Sequence, residues 1–255
     1  MFPNGKVFYS TNYLNDERNG HYSSNDADGT PIAEGDYVSN SRSGIWKRYN
    51  RLGILHELTL YVDGEEDSLY TDYYAFGKPY QISEYSDGVL TGISRFLAPD
   101  GTPVAEKKYI SDQIEAIRST EKNGQFGPWR QFSSKMSVVA YYANGVKAYE
   151  EEYEAGTLSG AKRIYFSNGK LCREYFYVNG DNEGPFVQYY PNGKLCLKGQ
   201  YHFDQLDGVV EAHNENGTLS KTITYKLGEM HGPTVYFKNG VKSMEVEFYN
   251  GLPLK

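Results

Sequence analysis

Glycine recurs along this chain at a fixed interval, and that recurrence limits the fold more than any other feature. Gly5, Gly29, Gly53, Gly77 and Gly101 lie 24 residues apart; a second run, Gly145, Gly169, Gly193 and Gly217, keeps the same step, with Gly240 one residue short. A chain with so short an internal period is built from small units, each of which buries its apolar face only against its neighbours. The phase has two further markers. Eight residues after each turn glycine stands an aromatic: Tyr13, Tyr37, Tyr61, Tyr85, Tyr109, Tyr153, Tyr177, Tyr201, Tyr225 and Phe248. Nine residues before most turns stands another glycine, at Gly20, Gly44, Gly92, Gly160, Gly184 and Gly208, with Ser68 in that place once and Gly232 eight before its turn.

Turn chemistry gives the units their form. Asn-Gly precedes or completes the turn at Gly5, Gly145, Gly169, Gly193, Gly217 and Gly240, and Asp-Gly does so at Gly29 and Gly101. Between aromatic or β-branched runs this dipeptide signals a hairpin closed by a type I′ turn, in which both central residues have positive φ. Eleven residues after each turn comes a second turn-former (Asp16, Asn40, Gly64, Gly88, Asp112, Gly156, Gly180, Asp204, Gly228 and Gly251), read as a looser connection. With 25 tyrosines, 27 glycines and 12 phenylalanines, the composition favours pleated strands over helices. The expected fold is therefore all-β: an elongated, twisted, single antiparallel sheet of stacked β-hairpin repeats on a 24-residue period, solenoid-like.

The register slips once. Gly101 to Gly145 is 44 residues, four short of two periods, which divides the chain into a first block of hairpins at 1–111, an irregular break at 112–137 and a second block at 138–255. Gly127-Pro128-Trp129 resembles the opening of a unit, since Trp46 and Phe186 stand at the same distance from Gly44 and Gly184. The segment Met1-Phe2-Pro3-Asn4-Gly5-Lys6 precedes the first turn with no opening glycine, so the chain reads as trimmed ahead of its first hairpin.

The clearest copies, Gly160 to Tyr177 and Gly184 to Tyr201, share the scheme Gly-x4-Tyr-(Tyr/Phe)-x-Asn-Gly-Lys-Leu followed by a tyrosine. This scheme resembles the MORN-repeat variant family, including the bacterial form known as the YwqK-type antitoxin family. The first 111 residues depart from it, with Pro31, Pro79 and Pro103 where the leucine would stand. The resemblance implies a bacterial protein of stacked hairpins that carries no catalytic centre or cofactor and acts by binding another macromolecule, in some members as an antitoxin or immunity partner.

The formal charge of −7 disfavours nucleic acid, whose phosphates it repels, and no run of about 18 apolar residues is present to cross a bilayer. His21, His56, His202, His213 and His231 are scattered without the spacing of a zinc site, and Asp26-Ala27-Asp28-Gly29 lacks the ligand positions of a calcium loop. Asp63-Gly64-Glu65-Glu66-Asp67 reads as a solvated connection. Glu34, Glu106, Glu150, Glu174 and Glu245, each five residues after a turn, should form a carboxylate ladder relieved by nearby cations. Cys172 and Cys196 occupy equivalent places in adjacent units, about 9.5 Å apart by strand spacing, too far for a disulfide; they are expected as free thiols.

No metal site and no enzyme activity are expected. The candidate interaction surface comprises Trp129, Trp46 and the stripe Tyr153, Tyr177, Tyr201 and Tyr225, with Gly29, Gly53, Gly77, Gly101, Gly145, Gly169, Gly193, Gly217 and Gly240 as structural turns. The partner expected is another protein; a cell-wall glycan gripped by the tyrosine stripe is the alternative, and exposed sheet ends also permit end-to-end self-association. Compartment is not written in the sequence.

Overall fold

Strand patterning follows the period-2 alternation of side chains. Along Leu219–Lys226, for example, Lys221, Ile223 and Tyr225 are buried while Thr222 and Thr224 are less so. The computed structural model describes residues 1–2 and 4–254; Pro3, within the N-terminal segment noted above, and Lys255 lie outside the described residues. The described residues form strands and turns with no helix, arranged in two open antiparallel sheets of 11 and 13 strands. The first runs from Tyr9 to Gln131 and the second from Met136 to Pro253, so the single sheet expected from the sequence is two. The reason is local: the last strand of the first sheet, Arg130–Gln131, has only two residues, too few to carry the ladder onward.

The two kinds of turn are exchanged relative to the sequence reading. At Asn168-Gly169 the amide of Gly169 bonds the carbonyl of Phe166 at 2.8 Å and Phe166 N bonds Lys170 O at 2.8 Å; Gly169 has φ +82° whereas Asn168 is not among the positive-φ residues. That is a three-residue turn ending in a left-handed glycine, the G1-bulge form, and not type I′. The same bonds recur around Gly29, Gly53, Gly77, Gly101, Gly145, Gly193 and Gly217. The connections read as looser are the tight two-residue turns: Asn15-Asp16, Ser39-Asn40, Asp63-Gly64, Ala155-Gly156 and Asn179-Gly180 have positive φ at both residues. Asn239-Gly240 has it too, which explains why that glycine falls one residue early: a two-residue turn replaces a three-residue one.

Each hairpin is bent twice. Ile164 pairs with Arg173 and Tyr165 with Leu171, so Cys172 is an extra, unpaired residue whose side chain is buried. On the other edge Glu150 pairs with Arg163 and Glu152 with Ser159, leaving Glu151 opposite the three residues Gly160, Ala161 and Lys162. Gly160, at φ +76°, supplies the left-handed backbone this wide bulge requires. Both ends of the hairpins are laced to the next unit. Asn192 donates to the carbonyl of Glu215 at 2.8 Å, and Gly180 N bonds Leu158 O at 2.9 Å.

The chain divides into two compact units, residues 1–95 with 107–115, and residues 96–106 with 116–254. The core of the first includes an aromatic cluster of Tyr22, Tyr37, Trp46 and Tyr61, and a polar contact between the hydroxyls of Ser83 and Ser94 at 2.8 Å. The core of the second is lined by Phe96, Val138, Tyr149, Ile164, Phe186, Val210 and Ile223.

Candidate functional site

The segment 112–137 is more regular than its sequence spacing suggests. Strand Gln113–Ser119 leads into a further G1-bulge turn at Asn123-Gly124, where Gly124 N bonds Glu121 O at 2.8 Å and Glu121 N bonds Gln125 O at 2.9 Å. Gly124 is a further turn glycine carrying the Asn-Gly signal within the segment expected to be irregular; it stands 23 residues after Gly101 and 21 before Gly145, off the 24-residue step. Phe126 bridges Thr120, and Gly127 N bonds Ser119 O at 3.0 Å. Pro128 has no amide to continue the ladder, and pairing resumes only at Arg130 and Gln131 against Ile117 and Ala116.

The next strand, Met136–Tyr141, pairs along its length with Lys147–Glu154. Its opposite edge is satisfied only at one end. Tyr141 N bonds Thr120 O at 3.1 Å, the Thr120 hydroxyl donates to Tyr141 O at 2.7 Å, and the Ser119 hydroxyl donates to Val139 O at 2.9 Å. A cleft of about 460 Å³ opens there, lined by Ser119, Thr120 and Lys122, by Pro128 and Arg130, and by Ser137, Val139 and Tyr141.

Trp129, which stands between the lining residues Pro128 and Arg130 in sequence, is held rigidly. Arg118 bonds the Glu106 carboxylate through Nε at 2.7 Å and pairs with it through Nη2 at 2.5 Å, and Glu106 is 2% exposed. The guanidinium is stacked between Phe126, 4.7 Å from its ring centroid, and Trp129, at 4.6 Å. A planar cation clamped by a buried carboxylate fixes both rings. Trp129 remains 37% exposed.

The other candidate residues fall elsewhere. Trp46 is 4% exposed, stacked with Tyr22 and edge-on to Tyr37, its indole N–H donating to Asp36 O at 3.0 Å; it is a core residue and not part of an open surface. Tyr153 and Tyr225 are also buried, and Tyr177 and Tyr201 are half-buried, Tyr201 against Phe186 at 5.1 Å. The stripe is internal because strands with a single buried face must use their largest side chains to fill it. All nine candidate turn glycines have φ between +75° and +91°. The ladder carboxylates each meet a cation: Glu34 with Lys47 at 2.8 Å, Glu150 with Lys147 at 2.6 Å, Glu174 with Arg163 and Glu245 with Lys242 at 2.6 Å. His202 and His213 lie 2.9 and 3.1 Å from Glu183 and Glu211, His21 and His56 3.5 and 3.4 Å from Asp36 and Asp72. Among the described residues no group of three or more His, Cys, Asp and Glu side chains could hold a metal ion. Both cysteines are free and buried. Among the described residues no helix is long and apolar enough to cross a membrane.

Fold and site define an all-β protein of open, many-stranded antiparallel sheets, with a cleft of mixed polar and apolar lining and a fixed tryptophan next to that lining in sequence. Three stretches of the chain, 158–179, 182–202 and 206–227, match the MORN repeat variant. No curated protein matches the chain. Among solved structures it is similar, over 89% of its length and at 13% identity, to a chain in the crystal structure of TcdB2-TccC3-Cdc42, of which it covers 14%, with a TM-score of 0.19. It is similar over 89% of its length and at 15% identity to a chain in a mutant Photorhabdus luminescens Tc holotoxin pore, of which it covers 15%, with a TM-score of 0.17. Superpositions this weak do not establish a shared fold.

Proposed function

We propose that the protein is a non-catalytic scaffold of hairpins stacked on a 24-residue period, and that it binds another protein at the cleft between Ser119 and Tyr141. The observation that carries this reading is Trp129, which stands between the cleft-lining Pro128 and Arg130 in sequence, is held by Arg118 and Phe126, and is 37% exposed. Tryptophan in a fixed, partly desolvated position is the side chain that most often anchors a protein interface. MORN-type repeats in 158–227 support an interaction module. The cleft's chemistry supports a non-catalytic role: the Ser119 and Thr120 hydroxyls are committed to backbone carbonyls, and no histidine is in the lining to activate them. Burial of Tyr153 and Tyr225 weighs against a glycan gripped by the tyrosine stripe. An antitoxin-like or immunity role is the narrower form of the same reading.

The test is an affinity capture with the full chain as bait and Trp129→Ala in parallel, with retained material identified by mass spectrometry. One stoichiometric protein, lost with the variant, is expected. Retention of polysaccharide alone, or of a protein that ignores the substitution, would displace the cleft from its proposed role.

A further inference from the structure

Resting on that reading of the cleft, we infer that its partner enters as an extended acidic segment that adds a strand to the free edge of Met136–Tyr141. The first ground is the backbone accounting. In an antiparallel ladder successive amides point alternately to the two neighbours. Tyr142 N bonds inward to Val146 O and Tyr141 N bonds outward to Thr120 O, so the amides of Val139 and Ser137 point outward as well, into the cleft. Beyond Thr120 no strand meets them. The Ser119 hydroxyl donates to the Val139 carbonyl and, unlike the Thr120 hydroxyl, which also accepts from the Tyr141 amide at 3.1 Å, takes no bond from the neighbouring amides. An open edge of this kind is a template for one more strand about 4.8 Å away, whose own backbone supplies the missing acceptors.

The second ground is charge. The whole chain carries −7, yet the cleft lining has Lys122 and Arg130 against the single carboxylate of Glu121. Neither cation has an ion-pair partner among the described residues, whereas most lysines and arginines near the ladder do. Both share the cleft with the free edge: Lys122 lies 5.9 Å from the Tyr141 ring, and Arg130 is in the same lining as Ser137 and Val139. A strand entering there meets two positive charges, which selects Asp or Glu at cleft-facing positions. Proline is excluded from the segment at positions whose amides must join the ladder.

The experiment is selection of a random 12-residue displayed peptide library on the immobilised full chain, with Ser137→Pro and Lys122→Glu/Arg130→Glu as counter-baits. Ser137→Pro removes one outward amide and no ladder bond, and its fold is checked by unfolding midpoint against the native chain. Enriched peptides are expected to be acidic and proline-poor, and to bind each counter-bait about tenfold more weakly, the loss of one or two interfacial hydrogen bonds or ion pairs. In the native chain, hydrogen exchange at Ser137 and Val139 should slow when a selected peptide is bound, a readout that needs no substitution. The inference is overturned by no enrichment, by enriched sequences no more acidic than the input, by equal binding to Ser137→Pro, or by a dimer of the chain that protects the same amides without peptide. A partner captured through Trp129 whose binding ignores both counter-baits would overturn the strand-addition inference while leaving the scaffold reading in place.

Discussion

The indole of Trp46 lies where residue 35 would carry a side chain: a Cβ built on Gly35 would sit 2.4 Å from the ring. Phe186 and Gly199 repeat the relationship, at 2.7 Å. Gly35 and Gly199 both stand six residues after a turn glycine and Trp46 and Phe186 seven before the next or the same one, so a large ring on one strand is accommodated by the absence of a side chain on its neighbour. Gly35→Ala and Gly199→Ala should each destabilise by about 1–3 kcal/mol, the usual cost of overpacking a filled site. Urea unfolding measures this; an unchanged midpoint would mean the rings shift freely.

Glu151 is fully buried in the second unit. It accepts hydrogen bonds from the hydroxyls of Tyr149 and of Tyr153, the latter at 3.0 Å, and lies 3.6 Å from Lys162 Nζ, whose ammonium also stands 4.9 Å from the Phe96 ring centroid. Removing one member of a buried charged network leaves the others poorly compensated. Glu151→Ala should cost about 3–5 kcal/mol, more than Glu154→Ala at an exposed pair, which should fall within about 0.5 kcal/mol of native. Equal losses for the two in chemical denaturation would contradict this account.

Acid should unfold the protein through the ladder. The Glu34 carboxyl is held below its ordinary value of 4.5 chiefly by the hydrogen bond from Lys47, then by that from Tyr49. At Glu150 and Glu211 burial pushes the other way but is outweighed by hydrogen bonds from Lys147 and Tyr165, and from Lys198 and His213. A carboxyl whose folded value lies below its unfolded value favours the folded state fully above the unfolded value, and that advantage is lost as pH falls through the lowered one. The contribution of these carboxyls should therefore be constant from about pH 5 to neutrality and decline below 4.5. In Glu34→Gln/Glu150→Gln the decline should be shallower, as read from unfolding midpoints across pH.

Burial pushes the Cys172 thiol up to about 12 and the Cys196 thiol up to about 11. Since the thiolate is the reactive form, neither should react with a disulfide reagent at pH 8 in the native state, and both should react once urea unfolds the chain. Fast reaction of either in native buffer would show that the bulge carrying it opens readily.

Several things were legible in the sequence because they depend on residues close together in the chain. A turn needs glycine where φ is positive, so the turn positions are written one by one, and an apolar stripe at fixed phase announces strands. Even so, Asn-Gly alone did not tell a type I′ turn from a G1-bulge turn, since both place glycine in the left-handed region; the pairing partners of the flanking strands decide which forms. Gly124 falls off the 24-residue interval, so the Asn-Gly dipeptide alone marks it.

What only the tertiary structure decided is which side chains face outward. Tryptophan and tyrosine serve a core and an interface equally well, so composition could not separate Trp46, covered by Tyr22 and Tyr37, from Trp129, propped open by Arg118. The free amides of Ser137 and Val139 carry no sequence signal at all, because every residue but proline has an amide. Whether an amide finds a partner depends on a strand distant in sequence, and here the last strand of the first sheet is only Arg130–Gln131, paired to Ile117 and Ala116.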